Sequence, residues 1–473
     1  MTVSTNKTRI LTALLILLLN ASSFSQQNYR IAFKIKGIHD TTCLIANYYG
    51  NGTYIKDTVK IDQSGRCLYN TSASTPKGMY IFVITDKVHF DFIINSDQRF
   101  SMETEISDLT GKMVVAGSAE NSLFYEYLAY NKKKFDEIQA IQKELKNLHA
   151  ADSVAGLKRV SEINQEIIAY KLDLIRKHPG SFMAFMMNAM KEPAIASPGA
   201  DVTESNYSAT AEYYACHFWD DTDFTDDRLL RTPVFHTKLQ KYFDKVLFQD
   251  PDTLIMEIDR LITESRSNLE MFKYLIWFTT YHYENSEIMG FDEIFVHLVD
   301  TYYVTGKTPW LNQAVIERII KKANQLRPIL IGQKAPNMIM TDTSNKLVSM
   351  HNIDSKYLIL LFWDPDCGHC EQEIPKLRNF YEQYKDIYGL KILGVCSDTS
   401  LVKWKSQIRK KNMTWINVDG PRTLTGNFHE QYNISQTPVI YILNSRKEII
   451  AKNLNADQVP LFMKRYTEIY PEQ

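Results

Sequence analysis

Two cysteines stand two residues apart in Cys367-Gly368-His369-Cys370, directly after the apolar run 357–363 and the breaker Asp364-Pro365. The run is short, bounded and almost wholly apolar, which predicts a central strand covered on both faces. Residues 371–388 then read as a helix, so a buried strand delivers the cysteine pair to a helix N-terminus. First-turn N–H groups and the positive end of the helix dipole stabilise a thiolate there. Cys367 is therefore the candidate nucleophile. Cys370, one helical turn on, can attack a mixed disulfide formed at Cys367 and so complete thiol–disulfide exchange. A zinc knuckle would use the same residue types, but tetrahedral zinc needs four ligands, and the chain has no second CxxC or CxxH pair to supply them.

Four features around the pair agree with a redox site. Pro375 falls inside the helix, where it removes a backbone bond and bends it. Glu373 lies three residues beyond Cys370 and so shares its helical face. Residues 390–396, 414–418, 439–443 and 448–452 read as strands, with helical stretches 401–411 and 424–432 between them, an alternation that makes a βαβ unit closed by a hairpin. Thr437-Pro438 stands immediately before one of these strands, which predicts a cis bond in a tight approach.

From about 331 to 470 these residues resemble the thioredoxin superfamily, and within it the TlpA/ResA-like extracytoplasmic thiol–disulfide oxidoreductases. The resemblance rests on Gly332-Gln333-Lys334-Ala335-Pro336 as the lead-in, Phe362-Trp363, the two cysteines, Glu373-Ile374-Pro375 and Thr437-Pro438. It implies that Pro438 is the cis proline facing the disulfide. It also implies that Glu373 is the carboxylate handling the proton of the resolving thiol Cys370. Where the family usually carries Trp before the first cysteine, this chain has Asp366, whose charge is expected to raise the Cys367 pKa. His369 is expected to act in the opposite sense, because an imidazole between the cysteines can donate to the thiolate, as in the protein disulfide isomerases that share this tetrapeptide.

The remainder of the chain gives the site its setting. Its 473 residues are enough for about three domains, and a formal charge of −1 offers no reason to expect a nucleic-acid partner. Lys7 and Arg9 precede the apolar residues 10–19 and the small residues around Ser23 and Ser25, the pattern of a secretory signal peptide over 1–25. No cysteine follows that core to accept a lipid, so the expectation is a soluble periplasmic protein after cleavage.

Alternating strand patterns at 29–36, 42–48, 54–60, 78–85 and 88–94, separated by turn signals such as Asn51-Gly52 and Ser64-Gly65, predict a small antiparallel sandwich. Cys43 and Cys67 both fall here. In an oxidising compartment they are candidates for a structural disulfide, the alternative being two buried thiols. Helix-period sequence begins near Gly117 and runs to about 325, with stretches at 121–149, 161–176, 233–248, 251–265, 271–285, 291–303 and 309–323. Aromatics in the 271–285 stretch are read as core packing rather than a client groove. Cys216 and His217 are read as packing, Cys396 as an inert buried thiol, and His351 and His429 as lacking catalytic companions.

The fold class expected is multidomain: an antiparallel β-sandwich over 26–116, an all-α region over 117–328, and a C-terminal α/β thioredoxin-like domain over 329–473 that is large enough to fold alone. The expected function is exchange of disulfides with protein clients, in the reductase direction, with no cofactor or metal. A membrane thiol transporter is the electron source that the resemblance implies. The alternatives are a disulfide isomerase or oxidase, and a non-catalytic envelope binding module built on a thioredoxin scaffold. A peroxidase reading meets Asp364 where a Thr or Ser would be needed three residues before the cysteine. A homodimer is the other use foreseen for the upstream surface.

Overall fold

The computed structural model describes residues 28–145, 153–194 and 204–471, so the signal-peptide reading of 1–25 lies outside the described residues. The chain divides into two compact units, Met1–Leu247 and Phe248–Gln473.

In the first unit, strands β1 (Tyr29–Lys36), β2 (Thr41–Tyr49), β3 (Gly52–Ile61), β4 (Arg66–Thr71), β5 (Gly78–Thr85), β6 (Val88–Ile94), β7 (Arg99–Glu105) and β8 (Val114–Ala116) form two four-stranded sheets, ordered β4-β1-β7-β8 and β3-β2-β5-β6. The pairings are antiparallel except β1 with β7, which run parallel. Alternate residues of β1, Tyr29, Ile31, Phe33 and Ile35, are buried. Phe33 meets Phe82, Phe90 and Phe92 of the other sheet with ring centroids 4.7 to 6.0 Å apart, so inward alternation builds one aromatic core. Helices α1 (Ala119–Leu145), α2 (Ser153–Lys177), α3 (Phe182–Ala189), α4 (Glu204–His217) and α5 (Phe235–Lys241) follow. Ser118 caps α1 by accepting from Asn121 N at 3.1 Å, and Phe124 of α1 and Phe182 of α3 join the sheet core. The composition change near 117 thus does not separate two cores.

Cys43 lies on one sheet and Cys67 on the other, and both are free thiols. Burial, together with the neighbouring Cys43, pushes Cys67 up to about 12. His217 is turned to Asp220 at 2.7 Å and to the Tyr213 ring.

The second unit opens with helices α6 (Pro251–Glu264), α7 (Leu269–Glu284), α8 (Asp292–Leu298) and α9 (Gln313–Leu326). On α7, Tyr274, Phe278 and Tyr283 are buried as expected. Trp277 and Tyr281, in contrast, are 45% and 60% exposed and stack on each other. A seven-stranded sheet follows, from β9 (Ile339–Asp342), β10 (Leu347–Ser349), β11 (Tyr357–Trp363), β12 (Leu390–Cys396), β13 (Ile416–Thr423), β14 (Val439–Leu443) and β15 (Ile449–Leu454), in the order β10-β9-β13-β12-β11-β14-β15. Every residue of β11 is buried, each large side chain contributing roughly 1.5–3 kcal/mol by that burial. Helices α10 (Gly368–Tyr388), α11 (Leu401–Lys410), α12 (Phe428–Gln431) and α13 (Gln458–Ile469) complete the α/β part.

Helices and sheet share contacts in this unit. Lys452 of β15 is 3% exposed, pairs with Asp292 of α8 and donates to Ile329 O at 2.7 Å. A composition boundary at 328 therefore runs between groups that are bonded to each other.

Candidate active site

Register brings the site together. β11 lies parallel to β12, Trp363 beside Cys396, and antiparallel to β14, Phe362 beside Val439. One step beyond each pairing, the chain leaving β11 through Asp364–Cys367 meets the chain entering β14 through Thr437–Pro438. The Thr437–Pro438 peptide is cis, and Cys367 Sγ donates to Thr437 O at 3.0 Å. The Asp364 turn is held by Cys367 N to Asp364 O at 3.2 Å and Asp366 N to Asp364 Oδ1 at 2.8 Å. Ser397, leaving β12, donates to Asp364 Oδ2 at 2.6 Å.

Cys367 is the N-cap of α10, with extended backbone, and its sulfur accepts from Cys370 N at 3.3 Å. An orphan first-turn amide thus bonds the sulfur, as the position of Cys367 at the helix N-terminus predicts. Burial alone would raise the Cys367 thiol. Hydrogen bonds from Cys370, the Thr437 side chain and the His369 amide outweigh it and hold the thiol below its ordinary value. Thr437 acts in two senses, since its carbonyl accepts from the protonated thiol while its side chain favours the thiolate. Cys370 is fully buried, and burial, with the proximity of Cys367, pushes it up to about 12. At neutral pH Cys367 is thus the more ionised of the two thiols.

The other expected residues fall around this pair in different ways. His369 is exposed, and its backbone rather than its ring contributes to the shift at Cys367. Asp366 is not turned on the sulfur: its carboxylate, 68% exposed, pairs with Lys403 of α11, which also holds Asp398 at 3.0 Å. Those two carboxylates and Asp364 form an acidic cluster, and Lys403 compensates it from within. Glu373 accepts from Ala456 N at 2.6 Å and from Lys376 at 3.0 Å, while the groups acting on the Cys370 thiol are Cys367, the Asp364 backbone and Thr437. Pro375 lies inside α10, between the buried Ile374 and Leu377.

Two grooves flank the sulfur. One, about 340 Å³, runs past Asp364, Cys367, Ser397, His429 and Ser435. The other, about 440 Å³, is walled by His369, Glu373, Pro438, Val439, Asn453 and Asn455. Reading the sequence missed Ser397, Lys403, His429 and Asn453 as neighbours of the pair. Their only signal was position, at or near strand ends and on the helices between strands, which the sheet topology returns to one end of the sheet. Cys396, fully buried at the end of β12, is pushed up to about 12 by that burial.

A buried strand ending in a cysteine pair at a helix N-terminus, opposite a cis-proline loop, defines a thioredoxin-like domain. Residues 331–452 match the AhpC/TSA family, and 29–124 and 202–327 match two domains of unknown function, DUF4369 and DUF5106. Among curated proteins, a thiol-disulfide oxidoreductase ResA of Bacillus cereus is 24% identical over 123 residues, 26% of this chain and 68% of that one. ResA of Bacillus anthracis is 22% identical over 141 residues, 29% of this chain and 79% of that one. Among solved structures, a domain of a possible thiol-disulfide isomerase from Cytophaga hutchinsonii is 33% identical, covers 30% of this chain and 97% of its own, and has a TM-score of 0.28. A thioredoxin-like protein from Bacteroides caccae is 20% identical, with 58% and 98% covered and a TM-score of 0.46. Over its C-terminal third the chain thus carries a thioredoxin-like domain that is similar to the ResA thiol-disulfide oxidoreductases.

Proposed function

We propose that the chain reduces disulfides of protein clients outside the cytoplasm, with Cys367 attacking and Cys370 resolving. The Cys367 thiolate attacks one client sulfur, and the client S–S bond breaks to release a first thiolate. Cys370 then gives its proton to the released client thiolate and attacks Cys367 Sγ, expelling the second client thiolate and leaving a Cys367–Cys370 disulfide. The client gains two electrons and the pair loses two. Pro438 and the Thr437 carbonyl border the sulfur where an extended client backbone would lie. An external thiol donor, of the membrane-transporter kind, would restore the pair.

The observation that carries this reading is the contrast between the two thiols: one capped by a helix-terminal amide at 3.3 Å, the other fully buried. The reductase direction is supported by how the thiolate is held. Its partners are the Cys370 thiol, Thr437 and the Cys370 and His369 amides, and an imidazole bond of the isomerase kind is not what lowers it. Equilibration of the full chain against glutathione buffers tests the direction: a reductase is expected below about −250 mV, whereas about −180 mV or higher would favour the isomerase or oxidase alternative.

A further inference from the structure

Strand β15 is an edge strand, and an open edge is normally blunted or covered. Here the helical segment covers it. Lys452 N donates to Met289 Sδ at 3.4 Å, and Lys452 Nζ meets Asp292 and Ile329 O. Immediately after Lys452 the pairing with β14 slips: Tyr441 opposes Lys452 and Ile440 opposes Leu454, so Asn453 is an extra residue at a bulge, with φ +57. A bulge re-aims the strand that carries it. This one turns Asn453, Leu454 and Asn455 into the wall of the 440 Å³ groove that faces His369 and Pro438. The far end of the same short stretch is fixed by Ala456 N on Glu373, three residues beyond Cys370 on α10. The wall is thus anchored at one end to the active-site helix and at the other to α8.

We propose that Asp292 is a positioning residue for the oxidoreductase site: by pairing with Lys452 it fixes the bulge at Asn453, and with it the groove wall that a protein client must fit. The inference rests on the function proposed above. It assigns to the helical segment a part in client affinity that involves no contact with either sulfur. Small disulfides, which need only reach Cys367, do not depend on that wall, so breaking the pair separates the two kinds of substrate.

The test uses the full chain and two variants that break the pair from opposite sides. Asp292→Asn leaves Lys452 buried without its ion-pair partner, with only the more distant charge of Glu293 acting on it. Lys452→Met removes the buried charge instead, leaving Asp292, 17% exposed, able to turn to water, so this variant keeps the test open if the first does not fold. For each, KM for insulin disulfide reduction is expected to rise about tenfold, with kcat and the rate on a small aromatic disulfide within about twofold of the parent. Amide exchange at Ala456 is expected to quicken by a similar factor. Folded variants with parental KM and parental Ala456 exchange would overturn the inference, as would equal slowing on both substrates. A parent chain that reduces neither disulfide would remove the proposed function and this inference together. A parent that reduces both, beside unshifted variants, would remove the inference alone.

Discussion

The chemistry at Cys367 is set by which charges reach its sulfur and which are already engaged. Asp366 precedes it directly and, from sequence, is expected to oppose the thiolate; in the structure its carboxylate belongs to Lys403, whose charge is shared with Asp398. Removing Asp366 therefore removes a compensated charge, while removing Lys403 uncovers two. Asp366→Asn is expected to leave the pH midpoint of Cys367 alkylation nearly unmoved. Lys403→Met is expected to raise it by roughly half a pH unit, a modest figure because the site is exposed and screened. The larger shift in Asp366→Asn would contradict this account. Because the Cys367 thiol is held below its ordinary value, parental alkylation should approach its maximum at lower pH than a free thiol does. At this scale the cysteines, Pro438 and the helix cap were legible because a few adjacent residues carry them. Lys403 was not, since an ion pair between residues far apart in sequence leaves no local pattern.

Elements that bury a continuous apolar face were legible; the three-residue strands were not. β11 is buried throughout and its limits were readable from hydrophobicity alone. β10 has three residues, none buried, and β8 likewise, so neither leaves a period to detect. α10 depends on its ends as well as its face. It terminates at Gly389 with φ +59, a left-handed cap that favours glycine, and a Cβ added there would approach Lys356 Cβ to 3.0 Å. Gly389→Ala is expected to cost about 1 kcal/mol, read as a lower urea midpoint with unchanged slope. Cys367 reactivity should stay at the parental level, because the cap is at the opposite end of the helix from the sulfur. A change in the alkylation profile would mean that the helix transmits strain from one end to the other.

At the scale of the whole molecule, composition and contacts divide the chain differently. Composition changes near 328, where helix-period sequence gives way to alternating strands and helices. Contacts divide the chain at Leu247 and Phe248, placing α6 to α9 with the thioredoxin-like part. Composition records what each segment is made of and cannot report that a lysine in one strand needs an aspartate from a helix. A chain begun at Ile331 would lose both Asp292 and Ile329, leaving Lys452 without these partners on an edge that the helices no longer cover. Breaking a buried pair from one side typically costs about 3–5 kcal/mol; because the helices that bury Lys452 are removed as well, that figure is the upper bound on the loss of stability expected for the truncated chain in urea unfolding. Lys452→Met in the truncated chain should recover part of it. Equal stability of truncated and parental forms of the α/β domain would show that Lys452 reaches water once the helices are gone.

The central claim, that Cys367 attacks and Cys370 resolves, is tested most directly by brief alkylation of the reduced full chain at pH 7, with each cysteine quantified by mass spectrometry. The capped, partly exposed Cys367 is expected to be labelled well before Cys370, whose thiol is buried and pushed up to about 12. Faster labelling of Cys370 would contradict the assignment of roles and the mechanism built on it.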